Sequence, residues 1–255
     1  MIPLSDDNPT LRTPVVTYLL LAVIGATWVL VQGAGLNTLA LVSSVCNLGL
    51  VPGELTGQAP RGFRVPLGPG LACVVDNDPI NRFTPITSMF LHGGWGHLVG
   101  NCLFFWVFGN NVEDSMGRLR FLVFYLVCGL AAAAAQVVVD PSSPIPMVGA
   151  SGAISGIMGA YLILYPRVRV NMLFIFFIIF RIIPLPAWAV LLWWFGLQVL
   201  TGLPQLNRLQ AEGGVAVWAH VGGFVAGVVL VKLFENHALT AQRSRWRHRL
   251  HPDHP

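Results

Sequence analysis

Apolar residues run along this chain in blocks, separated by short breaks rich in polar residues, glycine and proline. The blocks have the length of membrane spans, since a spanning helix needs about 20 apolar residues, roughly 17–25. Six segments qualify: 14–35, 86–110, 119–139, 147–165, 186–203 and 213–234. Between the first two lies a loop, 36–85, rich in Gly and Pro and containing PRGFRVPLGPG. Its length argues for structure of its own. A further block, NMLFIFFIIFRII at 171–183, is apolar but short, holds Arg181 and stops near Pro184 and Pro186. That length suits an interfacial or re-entrant piece, or an extension of the fifth span; read as a span it makes a seventh. The pattern predicts an all-α membrane protein: a six-transmembrane-helix bundle over 14–235 with a long structured first external loop. A segment 1–13 precedes it and a tail 236–255 follows.

Composition agrees with a bilayer as solvent. Of 255 residues, 55% are hydrophobic and 10% charged, against about 25% charged in soluble domains. The first 13 residues are polar, with Asp6 and Asp7, and lack the basic start of a cleavable signal peptide, so the first span is the expected insertion signal. Of fifteen Lys and Arg residues, only Arg61, Arg64, Arg82 and Arg208 fall on the side of the 36–85 loop when six spans are counted. The positive-inside rule then puts both termini in the cytoplasm of a cell (plasma or inner) membrane and the loop outside. The basic tail RSRWRHRLHPDHP either enforces that orientation while otherwise disordered, or binds anionic headgroups. Nothing resembles a module that reads nucleic acid. Cys102 and Cys128 fall in apolar spans as small hydrophobes. Cys46 and Cys73 share the outer loop, where they form a disulfide or remain two thiols. No metal motif is present, and no cofactor or metal is expected.

Polar groups are costly in hydrocarbon, so clusters of them mark function. FLHGGWGHLVGN supplies His92, His97 and Asn101; His97 and Asn101, four apart, share a helix face. GASGAISG supplies Ser151, and WAHVGGFVAG supplies His220. With six spans, Ser151 and His220 lie five and seven residues below the outer ends of their helices, roughly 7–11 Å deep at 1.5 Å per residue. A seventh span reverses the last helix and separates them by on the order of 12 Å across the core. Gly152 with Gly156, and Gly223 with Gly227, form GxxxG pairs that let helix backbones approach closely. A serine hydroxyl needs an adjacent base, which His220 supplies. An oxyanion needs donors, which the Asn101 amide, the His97 ring and the Ser151 backbone N–H supply. No Asp or Glu falls within an expected span, so a Ser–His dyad is the model. Ser155 is expected to bond its own helix, His92 to play a structural part, and WWFGLQ (193–198) to serve packing or an interfacial belt.

HGGWGHLVGN, FGNNVEDSMG, GASGAISGIMGAY and AHVGGFVAG, in that order from about residue 84 to 234, resemble the rhomboid family of intramembrane serine proteases. The resemblance implies a six-helix rhomboid-like core with Ser151 as nucleophile and His220 as general base. Asn101 and His97 form the oxyanion site, and His92, Gly149 and Gly152 support it. It also implies a mobile cap around 204–214, and single-span membrane proteins as substrates, cut in or near the transmembrane segment. The chain departs from the family where many members carry a Trp-Arg pair: Phe83 and Thr84 stand there, with Arg82 just upstream. It also lacks the last glycine of the hydrolase elbow G-x-S-x-G, since Ala153 occupies that place. The rivals are weaker. A zinc protease wants H-E-x-x-H, an aspartyl protease two intramembrane Asp, and a transporter a broken-helix pair. A non-catalytic rhomboid-like chaperone or client-binding protein usually lacks the Ser or the His, and both are present.

Overall fold

The breaks between helices fall where the chain supplies glycine, proline or a polar pair, and the apolar runs between them become the bundle. The structure, a computed structural model, describes residues 2–68, 70–76, 78–176, 179–204 and 216–250. Strand β1 (Ile2–Asp6) leads to α1 (Val15–Ala26), which widens into a π-turn over Thr27–Val31. The 36–85 loop folds as α2 (Thr38–Leu48), α3 (Pro52–Thr56) and the hairpin β2 (Arg64–Gly68) with β3 (Leu71–Val74). A disulfide between Cys46 and Cys73 ties α2 to β3. The turn α4 (Thr84–Thr87) precedes α5 (Trp95–Met116), α6 (Arg118–Val139) and the shorter α7 (Ser151–Leu164). Then come β4 (Arg169–Phe176), β5 (Ile179–Pro186), α8 (Ala187–Gly202), α9 (Val217–Phe234) and α10 (His237–Leu250). Among the described residues, α6 and α9 are long and apolar enough to cross a membrane. The α1 run to Val31, α2, α7 and α8 are shorter apolar helices.

The short α7 is the centre of the bundle, packed on α5, α6 and α9, and every residue from Gly152 to Tyr161 is buried. Its small residues explain how. A methyl group built at Gly223 would lie 2.0 Å from the Gly152 carbonyl oxygen, and one at Gly227 1.9 Å from that of Gly156. The two GxxxG pairs therefore face each other, backbone on backbone.

The all-α expectation needs correction, since the described residues include two small antiparallel sheets. The 171–183 block is neither a span nor a re-entrant helix but most of the β4–β5 hairpin, paired from Arg169↔Pro186 to Phe176↔Ile179. Its run of Phe and Ile favours strand. Within segment 1–13, β1 adds to that hairpin, in the order β1-β4-β5.

α5 runs past its expected end at 110, so Glu113 and Asp114 lie within a helix and are buried. Partners far away in sequence make this possible. Glu113 accepts from the Val16 and Thr17 amides (2.9 and 2.8 Å) and from the Thr17 hydroxyl (2.8 Å). It thus caps α1, whose own Ncap residue, Pro14, makes no side-chain cap; a carboxylate there also faces the positive end of the helix dipole. Asp114 accepts from Arg12 Nε (2.9 Å), the Leu11 amide (2.9 Å) and Arg243 (2.8 Å). Arg243 comes from the tail, which is helical over 237–250 rather than disordered. That side chain is 3% exposed, bonds Asn111, and lies 4.8 Å from the Tyr165 ring centre. The N-terminus, the α5 end, the α7–β4 turn and the tail therefore meet at one end of the bundle.

Asp6 belongs to this cluster, accepting from Asn111 Nδ2 (2.8 Å) and from the Tyr161 hydroxyl. Burial pushes its carboxyl up to about 6 from the usual 3.8, against the pull of Tyr161 and Arg243. The folded chain holds that proton more tightly than the unfolded chain. Ionisation therefore costs stability, beginning as pH rises above about 4 and complete a little above about 6. The cost is of order 2–3 kcal/mol. The thermal midpoint in detergent is expected to fall across that window, and Asp6→Asn to remove this part of the fall.

Candidate active site

Ser151 is the first residue of α7, not the fifth of a longer span, because residues 147–149 are held outside the helix and Ala150 is its N-cap. Met147 pairs with Leu50 of the 36–85 loop through two backbone bonds (2.9 and 2.8 Å), and the Gly149 amide donates to the Ser88 carbonyl (2.9 Å). This stitching delivers Ser151 to the helix N-terminus, where the first backbone N–H groups have no partner inside the helix and the dipole favours negative charge. His220 is in the first turn of α9. The glycine contacts between α7 and α9 bring the two together: the Ser151 hydroxyl lies 2.7 Å from His220 Nε2.

The other ring nitrogen is also held. His220 Nδ1 lies 2.8 Å from Gln198 Oε1, presented by α8. Because Gln198 faces it with an acceptor, Nδ1 carries the proton and donates, which assigns the tautomer. Nε2 is left free to accept the Ser151 hydroxyl proton. The Trp194 ring packs 5.8 Å from the imidazole, centre to centre. From sequence, WWFGLQ reads as packing or an interfacial belt, with no separate part for Gln198. Its signal was available: it is the lone amide in the apolar run of α8. Among the described residues no carboxylate plays this part. Glu113 and Asp114 are engaged near the other end of α5; Asp114, for example, is 13 residues past Asn101, about 20 Å along the axis.

His97 and Asn101 lie on successive turns of α5 and line the same cavity as Ser151 and His220. That cavity measures about 790 Å³, with Phe104, Met158 and Trp194 among its walls. Asn101 Nδ2 is buried without a hydrogen-bond partner, a donor set aside at a cost unless something in the cavity takes it. Gly149 has φ +130°, and a Cβ there would lie 2.7 Å from the His97 ring, so conformation and space both require glycine. Gly152 backs the site against Ala132 of α6. His92 is fully buried and meets His97 edge to face, 5.1 Å between centres. The Gln32 side chain holds its backbone N–H and C=O, each at 2.8 Å. Ser155 donates to the Ser151 carbonyl (2.6 Å), bonding its own helix. The cap expected around 204–214 falls largely on 205–215, outside the described residues. Among the described residues no group of His, Cys, Asp and Glu is arranged to hold a metal ion.

Fold and site together define a helical bundle in which a hydroxyl and an imidazole from two closely packed helices meet at the wall of a cavity that also holds an unpartnered amide donor, Asn101 Nδ2. The comparisons carry this further. Residues 81–236 match the Rhomboid domain model, and the chain belongs to the rhomboid family of integral membrane proteins. It is 44% identical over 77 residues to Rhomboid protease GluP of Bacillus subtilis, covering 30% of this chain and 15% of that one. It is 30% identical over 160 residues to Rhomboid protease AarA of Providencia stuartii, covering 56% and 52%. It is 27% identical over 174 residues to Rhomboid protein 1, mitochondrial, of Saccharomyces cerevisiae, covering 65% and 45%. The matched stretches thus span about half or less of these relatives.

Proposed function

We propose that this chain is an intramembrane serine endopeptidase with a Ser151–His220 dyad. The observation that carries the reading is the 2.7 Å contact between the Ser151 hydroxyl and His220 Nε2. Similarity to proteins named rhomboid proteases supports peptide hydrolysis. Ser151 Oγ attacks the scissile carbonyl carbon as its proton passes to His220 Nε2. Negative charge grows on the carbonyl oxygen. The Ser151 N–H at the start of α7, Asn101 Nδ2 and the His97 ring receive it, and such donors are worth most in a site of low dielectric. His220 then gives its proton to the departing amine, leaving an acyl ester on Ser151. A water, deprotonated by His220, opens the ester and restores the hydroxyl. Gln198 keeps the imidazole in the productive tautomer throughout.

The same reading assigns six spans, with both termini in the cytoplasm of a cell membrane and the 36–85 loop outside. The disulfide in that loop suits an oxidising compartment. The substrates are single-span membrane proteins, cut in or near the span. The test is a single-span reporter in proteoliposomes. Wild-type protein is expected to cleave it and Ser151→Ala to leave it intact; equal turnover by the two rejects the mechanism.

A further inference from the structure

The sheet at the far end of the bundle leaves an apolar face uncovered. Residues directly opposite in an antiparallel pair share a face. Val170 and Met172 on one face of β4 are buried against the core. On the other face Ile2, Leu173 and Ile182 form a row across the three strands, and Ile175 and Phe180 sit opposite each other nearer the tip. Phe180 is 65% exposed, Ile182 59% and Ile175 51%. Soluble surfaces rarely leave such a patch uncovered.

Its edges and flanks indicate what covers it. Strand addition is blocked at both edges: β1 carries Pro3, while β5 carries Arg181, Pro184 and Pro186, the devices that discourage edge pairing. The occupant therefore meets the face. The hairpin joins α8 directly at Ala187. There Trp188 is half exposed, and Leu192 and Trp193 continue outward-facing apolar surface along the helix. Tryptophan at a helix end marks the headgroup level. Arg167, Arg169 and Arg181 are all exposed, residues 165–186 contain no acid, and the acids of the sheet are Asp6 and Asp7 at the end of β1, Asp7 accepting from Asn171.

We propose that the β1-β4-β5 sheet lies in the headgroup–acyl boundary of an anionic leaflet, with its Leu173, Ile175, Phe180 and Ile182 face in the acyl chains and the three arginines on lipid phosphates. Family membership, not the proposed hydrolysis, is what this rests on. The sheet is then a second membrane contact beside the spans, and it holds the α7–α8 connection, and through it α8, at a fixed depth.

The test places the photoreactive residue p-benzoylphenylalanine at Phe180, in full-length protein in vesicles of phosphatidylcholine and phosphatidylglycerol. The same residue at Leu192 is the lipid-facing reference. After illumination, intact-protein mass spectrometry is expected to find phospholipid adducts at 180 within about threefold of those at 192, as for an interfacial apolar surface. The phosphatidylglycerol share of those adducts is expected about twofold above bulk, falling to bulk in Arg167→Gln/Arg169→Gln/Arg181→Gln protein. A crosslink between two copies at 180, or lipid adducts there below about a tenth of the reference, overturns the proposal. A phosphatidylglycerol share equal to bulk in the wild type overturns the arginine contacts.

Discussion

Replacing His220 with alanine is expected to slow reporter cleavage by about a million-fold, as losing the base does in a soluble serine protease. Without the imidazole, the Ser151 hydroxyl has no group 2.7 Å away to take its proton. The residual rate comes from binding and the oxyanion donors. Gln198→Leu separates orientation from base strength. It keeps the volume near the ring but leaves Nδ1–H without its acceptor, so the imidazole no longer holds one tautomer. A buried polar group stripped of its partner costs about 1–3 kcal/mol, so kcat is expected to fall about 10- to 100-fold with KM unchanged. Gln198→Glu retains an acceptor at that place and is expected to keep most of the activity. If Gln198→Leu equals wild type in kcat, the orienting role is wrong and the dyad acts alone.

Gly227→Val is expected to inactivate the protein from more than one helical turn below His220. A first side-chain atom at that position meets the Gly156 carbonyl oxygen at 1.9 Å, and backbone cannot yield as a flexible side chain does. The helices must part, and they are the two that bear Ser151 and His220. Misplacement by about 1 Å can cost about 100-fold in rate, and overpacking of this kind costs about 1–3 kcal/mol in stability. Reporter cleavage should therefore fall at least about 100-fold while the thermal midpoint drops only moderately. Gly25→Ala is the control, because a methyl there meets nothing within 4 Å. Normal cleavage by Gly227→Val would mean that close α7–α9 packing is not what joins the pair.

These expectations show which features were readable in the sequence. Ser151, His220, His97 and Asn101 stand out because each interrupts an apolar run, and the facing glycine pairs signal close approach. α6 follows its expected limits to within a residue, since its boundaries are local: Gly117 before and Asp140 after. The start of α7 falls later than its apolar run suggests, because Met147 is drawn out of the helix by pairing with Leu50, nearly a hundred residues away. The end of α5 was misread for the same kind of reason. Glu113 and Asp114 look like helix breakers in hydrocarbon until the α1 amides, Arg12 and Arg243 arrive to meet them. The β4–β5 hairpin hid in a continuous apolar run with neither a period of 2 nor of 3.6, where only the Phe and Ile content argued for strand. Gln198 was overlooked because one amide among tryptophans reads as belt until His220 is seen beside it.

The central claim is that His220 makes the Ser151 hydroxyl nucleophilic. Covalent labelling by a fluorophosphonate tests it without any substrate, because serine oxygen must displace fluoride from phosphorus. In proteoliposomes, peptide mapping is predicted to find a single phosphonyl adduct on Ser151 in the wild type, none in Ser151→Ala, and labelling at least about 100-fold slower in folded His220→Ala. A wild-type protein that stays unlabelled, or a His220→Ala protein labelled at the wild-type rate, would contradict it.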